Sequence, residues 1–168
     1  MTDDLRRQRV FDWLDAHGIR YTFYEHPAVR TVEAAVGCKH DDGSTACKNL
    51  LLRNSKGDRH YLICCTADLR LDLYALAERL QQGRVSFASE RELDELLGTA
   101  PGAVSPFGLL NDPEKRVRLL LDEQLSQADA YSFHPNDNRA TVVIARDEFL
   151  RCLALTGHPW EFIRLRRT

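Results

Sequence analysis

No stretch of this 168-residue chain approaches the ~20 consecutive apolar residues that a membrane helix needs. Behind the charged start Met1-Thr-Asp-Asp-Leu-Arg-Arg7 there is no apolar segment of the kind an export signal carries, so a soluble, cytoplasmic protein is expected. An excess of charge of one sign is lacking too. The 23 basic and 25 acidic residues leave a formal charge of −2, which excludes a general cationic field able to hold a long nucleic acid nonspecifically. Any nucleic-acid contact must be local. Basic residues gather at the two ends, Arg6-Arg7-Gln8-Arg9 and Arg164-Leu165-Arg166-Arg167, where they read first as solvated termini. The five cysteines are odd in number and irregularly spaced, which argues against a secreted disulfide framework and for reduced thiols.

Signature loops are missing as well. There is no G-x-S-x-G elbow, no Walker loop and no G-x-G-x-x-G fingerprint. Cys38, His40, Asp41, Asp42 and Cys47 lie close together, but without a C-x-x-C or H-x-x-x-H pairing they do not make a metal site, and no cofactor is expected.

What is present reads as one domain over residues 1–168. Asp4 to His17 places Leu5, Val10, Phe11 and Leu14 near one helical face, with Gly18 as the stop. Tyr21 to Tyr24 reads as a strand that ends at His26-Pro27. Thr31 is placed to cap a short helix through Val36, and Gly37 to Thr45 reads as a loop. Ala46 to Arg53 and Arg59 to Cys65 are β-leaning runs joined by Asn54-Ser-Lys-Gly-Asp58, the composition of a hairpin. Asp72 caps a helix carrying Leu73, Leu76, Ala77 and Leu80, and Val85 to Ala88 is a short strand. Ser89-Glu-Arg-Glu92 is a capping box opening a helix to Leu97. Gly98 to Asp112 reads as a long, ordered, nonhelical loop, a type that tends to carry function. Val117 to Leu121, Ala130 to His134 and Ala140 to Ile144 are the remaining strands, and Asp147 to Thr156 is a helix closed by Gly157 and Pro159. Without regular β-α alternation, the expected fold is α+β, a mixed and largely antiparallel sheet with helices packed around it.

Three places invite chemistry, each with a plain alternative. Lys48 sits in Ala46-Cys-Lys-Asn-Leu-Leu-Leu-Arg53: its stem packs on the core with the ammonium in water, or its charge meets a phosphate or carbonyl oxygen. Gly102-Ala-Val-Ser-Pro106 is a surface turn, or a loop whose N–H groups approach a ligand. His134, after a strand, is a satisfied edge histidine, a proton carrier or a pocket wall, and His26 carries the same ambiguity.

Taken in order, Tyr24-Glu-His-Pro27, Cys47-Lys48-Asn49, Gly98 to Asp112 and Phe133-His-Pro-Asn136 resemble the YbaK and prolyl-tRNA-synthetase-associated editing family over nearly the whole chain. The resemblance implies an aminoacyl-tRNA deacylase. Lys48, Gly102 and Ser105 would then be catalytic, and Asn49, His134, Pro106, Thr31 and His26 would bind substrate. Ser105-Pro-Phe-Gly-Leu-Leu-Asn-Asp112 and Phe133-His-Pro-Asn136 look most like the freestanding branch that clears alanine from tRNA(Pro). The paired glycines and glycine-arginine turn of the cysteine-specific branch are missing. Implied partners are the aminoacylated tRNA acceptor end, with prolyl-tRNA synthetase or an elongation factor left open, and neither DNA nor a membrane. Competing readings are a cysteinyl-tRNA(Pro) deacylase, a noncatalytic tRNA- or amino-acid-binding regulatory module, and a redox or metal protein using Cys38, Cys47 and Cys64.

Overall fold

In the computed structural model, which describes residues 1–165, the sheet grows outward from one hairpin. Strands β2 (Thr45–Asn54) and β3 (His60–Thr66) pair antiparallel, with Lys48 opposite Cys65 and Arg53 opposite His60. Their connection holds together through Asn54, whose side-chain oxygen accepts from the Asp58 and Arg59 N–H groups. The run Leu50-Leu51-Leu52 is continuously apolar because both faces of β2 are covered. Leu51 faces one core with Leu62 and Cys64, and Leu52 faces the other with Tyr61 and Ile63.

The remaining strands are β1 (Thr22–Glu25), β4 (Val85–Phe87), β5 (Val117–Asp122), β6 (Ala130–Phe133), β7 (Ala140–Ala145) and β8 (Trp160–Ile163). Their order is β1-β7-β6-β2-β3-β5-β8, with β4 added against the far end of β2. Among the described residues four pairings are antiparallel and three, β2·β6, β3·β5 and β5·β8, are parallel. The mixed α/β domain with helices around its sheet is the expected one.

Helices α1 (Asp3–Ala16), α4 (Glu90–Leu97) and α5 (Arg146–Thr156) cover the larger core through Val10 and Leu14, Leu93 and Leu97, and Phe149 and Leu153. Helix α3 (Leu73–Leu80) covers the other through Leu76. The Ser89–Glu92 capping box forms as written in the sequence. Helix α2 (Val32–Cys38) starts at Thr31, whose Oγ1 accepts from Ala34 N–H at 3.1 Å.

Three expectations need correcting. Leu5 is exposed, whereas Val10 and Leu14 of its face are buried and Phe11 packs against the core. The long loop is not wholly nonhelical: Pro106–Asn111 forms a 3-10 helix, with Pro106 supplying its preset φ at the start and Ser105 capping it. The strand β8 had no place in the sequence reading, which stopped at Pro159. Of the basic C-terminal cluster, Arg166 and Arg167 lie outside the described residues. Among those residues no helix is long and apolar enough to cross a membrane.

Candidate functional site

Strand β2 is flanked by β3 on one side along most of its length, but its other edge is divided. Strand β6 takes Thr45 and Ala46, and β4 takes Leu52 to Asn54. Between them Cys47 to Leu51 has no strand partner on that side. Alternation decides which main-chain groups face the gap. Asn54 N–H donates to the Arg59 carbonyl and the Ala46 carbonyl accepts from Ala67 N–H, so the even positions bond toward β3. The Leu51 carbonyl instead accepts Ala88 N–H at 2.9 Å on the other side. The main chain of Cys47 and Asn49 therefore looks into the gap.

A cavity of about 240 Å³ opens here. Cys47, Lys48, Asn49 and Leu50 form its floor, Thr31 to Lys39 one side, Gly102 and Val104 another, and Ser132, Phe133 and His134 a third. Three cations, Arg30, Lys39 and Lys48, line it, and no Asp or Glu does. Lys39 is matched by Asp42 at 3.1 Å. The Lys48 ammonium has no ion pair or hydrogen bond among the described residues, so its charge is left for a ligand. Asn49 Oδ1 is buried without a hydrogen-bond partner, an acceptor whose desolvation a ligand N–H would offset.

Gly102 has φ +87°, the left-handed region that favours glycine. A Cβ there would meet only Arg30 Cα, Asn138 Nδ2 and Val29 O at 3.6–3.7 Å, so the conformation rather than crowding calls for glycine. Gly102 and Val104 N–H groups are bound by no described residue, whereas Ala103 N–H is spent on the Ala100 carbonyl at 3.1 Å.

His134 lies on the wall with Nδ1 2.9 Å from the Ala140 carbonyl oxygen. A carbonyl only accepts, so Nδ1 carries the hydrogen and Nε2 presents a lone pair. Burial pushes the His134 pKa below the ordinary 6.5, outweighing the Ala140 hydrogen bond, with His26 pushing the same way. The group is a neutral wall at pH 7.

Of the residues singled out in the sequence, Lys48, Asn49, Gly102, His134 and Thr31 meet at the cavity, and three others do not. Ser105 is fully buried; its hydroxyl accepts from Phe107 N–H and donates to Asn136 Oδ1 at 3.3 Å. Pro106 is buried at the start of the 3-10 helix. His26 stands behind the wall: its Nδ1 donates to the Pro27 carbonyl, its Nε2 accepts from Thr141 Oγ1 at 2.9 Å, and its ring centre is 5.9 Å from that of His134. Arg30, Lys39, Ser132 and Thr141 line the cavity with no sequence signal beyond their neighbours, and Tyr24, the first residue of the Tyr24-Glu-His-Pro27 run, lines it too. Tyr24 stacks on His40 at 3.7 Å and its hydroxyl accepts His40 N–H, which ties α2's exit loop to the sheet.

Thiol chemistry finds little support. Burial pushes the Cys65 thiol up to about 12 despite the opposing Lys48 charge, and burial raises the Cys64 thiol as well. Among the described residues no group of three or more His, Cys, Asp or Glu side chains is placed to hold a metal ion.

The profile of the aminoacyl-tRNA editing domain matches residues 26–152, which hold every residue lining the cavity except Tyr24. The chain belongs to the aminoacyl-tRNA editing domain family. The "Prolyl-tRNA editing protein ProX" of Acetoanaerobium sticklandii is 36% identical over 95% of this chain and 97% of its own length. The "Multifunctional Ser/Thr-tRNA deacylase ProXp-y" of Escherichia coli K12 is 27% identical over 96% of this chain and 93% of its own. A crystal structure of a candidate trans-editing enzyme for prolyl-tRNA synthetase superposes with a TM-score of 0.72 at 30% identity, covering 97% of this chain and 98% of that one. This editing-domain chain spans more than nine-tenths of the length of each of these relatives.

Proposed function

We propose that this chain is a trans-editing deacylase that hydrolyses the ester joining a wrong amino acid to tRNA(Pro), with alanyl-tRNA(Pro) as its preferred substrate. The observation that carries the reading is the cavity: small, lined by no carboxylate, and floored by an ammonium without an ion pair or hydrogen bond among the described residues. An aminoacyl ester is already activated, so positioning and charge stabilisation suffice and no catalytic triad is required. Lys48 offsets negative charge on the terminal nucleotide or on the carbonyl oxygen as it becomes an oxyanion. The unspent N–H groups of Gly102 and Val104 complement that oxyanion, and Asn49 Oδ1 accepts from the substrate's amino group. Water attacks the carbonyl carbon, oriented by the substrate's own ribose hydroxyl, and the ester oxygen leaves with a proton.

Alanine and proline differ by too little apolar surface for affinity alone to sort them, since such differences give ~1–3 kcal/mol. His134 sorts by exclusion, held rigidly by Ala140 in front and backed by His26. The acceptor end is the part of the tRNA engaged, in the cytoplasm, with prolyl-tRNA synthetase or an elongation factor delivering the mischarged molecule. A panel of alanyl-, cysteinyl-, seryl- and prolyl-tRNA(Pro) tests the reading. Alanyl-tRNA(Pro) should be hydrolysed fastest and prolyl-tRNA(Pro) spared. Fastest hydrolysis of the cysteinyl or seryl ester would reassign the amino acid, and no hydrolysis of any would leave a binding module.

A further inference from the structure

A second recess lies at the opposite end of the β2–β3 hairpin, a groove of about 740 Å³. Arg59 comes from the hairpin, Arg79 from the end of α3, and Lys115, Arg116 and Arg118 from the entry and first residues of β5. Glu161 is its single acidic lining residue, and Arg118 holds it at 3.0 Å. Arg116 is shared with Asp112 and Glu114, and His60 sits against Glu92 at 2.9 Å. Asp58, next to Arg59 in sequence, accepts from the Asn54 amide at 2.7 Å and does not line the groove. Arg59, Arg79 and Lys115 are exposed and form no ion pair among the described residues. In a chain with more acids than bases, three unpaired cations converging from three elements make a local positive field on a protein that has none overall.

We propose that this groove binds the phosphate backbone of the same RNA whose aminoacylated end enters the cavity, an inference that rests on the function proposed above. The spacing fits. His60, at the groove, is five residues before Cys65, which pairs with Lys48, so the two sites stand ~17 Å apart along β3 at ~3.4 Å per residue. At ~3.4 Å per nucleotide of one strand, that is about five nucleotides from the ester, where an acceptor terminus passes into its duplex. Cations spread over separate elements of an open groove suit successive phosphates better than one compact anion.

The test is the triple variant Arg59→Ala, Arg79→Ala, Lys115→Ala, assayed on full-length alanyl-tRNA(Pro) and on the alanyl ester of adenosine. On the full-length substrate, kcat/KM should fall about tenfold or more at low salt, and its log–log salt dependence should become shallower by ~2–3. Turnover of the adenosine ester should not change. Equal losses on both substrates, or an unaltered salt slope, would overturn the proposal. So would a loss seen only when prolyl-tRNA synthetase is present, which would make the groove a protein contact. If the wild type hydrolyses neither substrate, the proposed function fails, and the groove is still read by fluorescence anisotropy of labelled, uncharged tRNA(Pro). Salt-sensitive binding lost in the triple variant supports it; binding equal to wild type refutes it.

Discussion

Ser105 and Asn136, 31 residues apart in sequence, are joined by a buried hydrogen bond of 3.3 Å from hydroxyl to amide oxygen. The bond ties the loop that carries Gly102 to the turn that follows His134. A third segment is tied to the same turn, because Asn138 Nδ2 donates to the Val29 carbonyl at 2.6 Å and Val29 N–H donates back to the Asn138 carbonyl. Three walls of the cavity are thereby held in register by side chains that never enter it.

Ser105→Ala should therefore act on stability before chemistry. It leaves Asn136 buried without its partner and uncaps the 3-10 helix, a cost of about 1–3 kcal/mol in urea denaturation. Deacylation should stay within about tenfold of wild type, since the Ser105 main chain is retained. Near-complete loss of activity with native stability would instead give the hydroxyl a chemical role.

His134→Ala should widen the wall. Discrimination between alanyl- and prolyl-tRNA(Pro) is expected to drop by about tenfold or more in kcat/KM; an unchanged ratio would remove His134 as the filter. The residue also carries a pH signature. Its folded pKa lies below the unfolded 6.5, so the unfolded chain binds the extra proton, and the contribution is complete above pH 6.5 and lost as pH falls toward the folded value. Between pH 7 and 5 the wild type should lose stability more steeply than His134→Ala. His26 and Asp137, the ionisable groups that act on His134, stay in place in both proteins.

Glu92 gives the same sign in a lower pH window. Burial alone would raise its carboxyl, but hydrogen bonds from His60 and Ser89 and the Arg53 charge outweigh that and bring it to about 2, from 4.5. Its contribution is complete above pH 4.5 and is lost as pH falls toward 2. Glu92→Gln should flatten stability against pH in that window and cost about 1 kcal/mol at neutral pH through the weakened capping box. Parallel curves for variant and wild type would contradict the assigned pairing.

Much of this architecture is legible along the chain because its signals are local. The Ser89–Glu92 box, the Asp72 and Thr31 caps and the glycine-bearing hairpin each depend on residues within five positions, and each forms where the sequence places it. The burial of Ser105 is not legible, because its partner is 31 residues away. Strand β8 is four residues long and joins the sheet by parallel pairing to β5, which no local pattern announces. The open edge of β2 is likewise a property of two neighbours that stop short of each other. Lys48 illustrates both limits: its place on a strand could be read, but its unneutralised charge could not. Only the folded chain shows a cavity without a carboxylate around it.

That charge is the most direct point of test. Single-turnover deacylation of alanyl-tRNA(Pro) should be compared for wild type and Lys48→Ala, with thermal unfolding measured on both. Wild type is expected to hydrolyse the ester well above the spontaneous rate. Lys48→Ala should lose ~100-fold or more of that rate while unfolding at nearly the wild-type temperature, because the ammonium makes no ion pair or hydrogen bond within the described fold. Hydrolysis by Lys48→Ala at the wild-type rate would contradict the assignment of this cavity as the editing site built around that lysine.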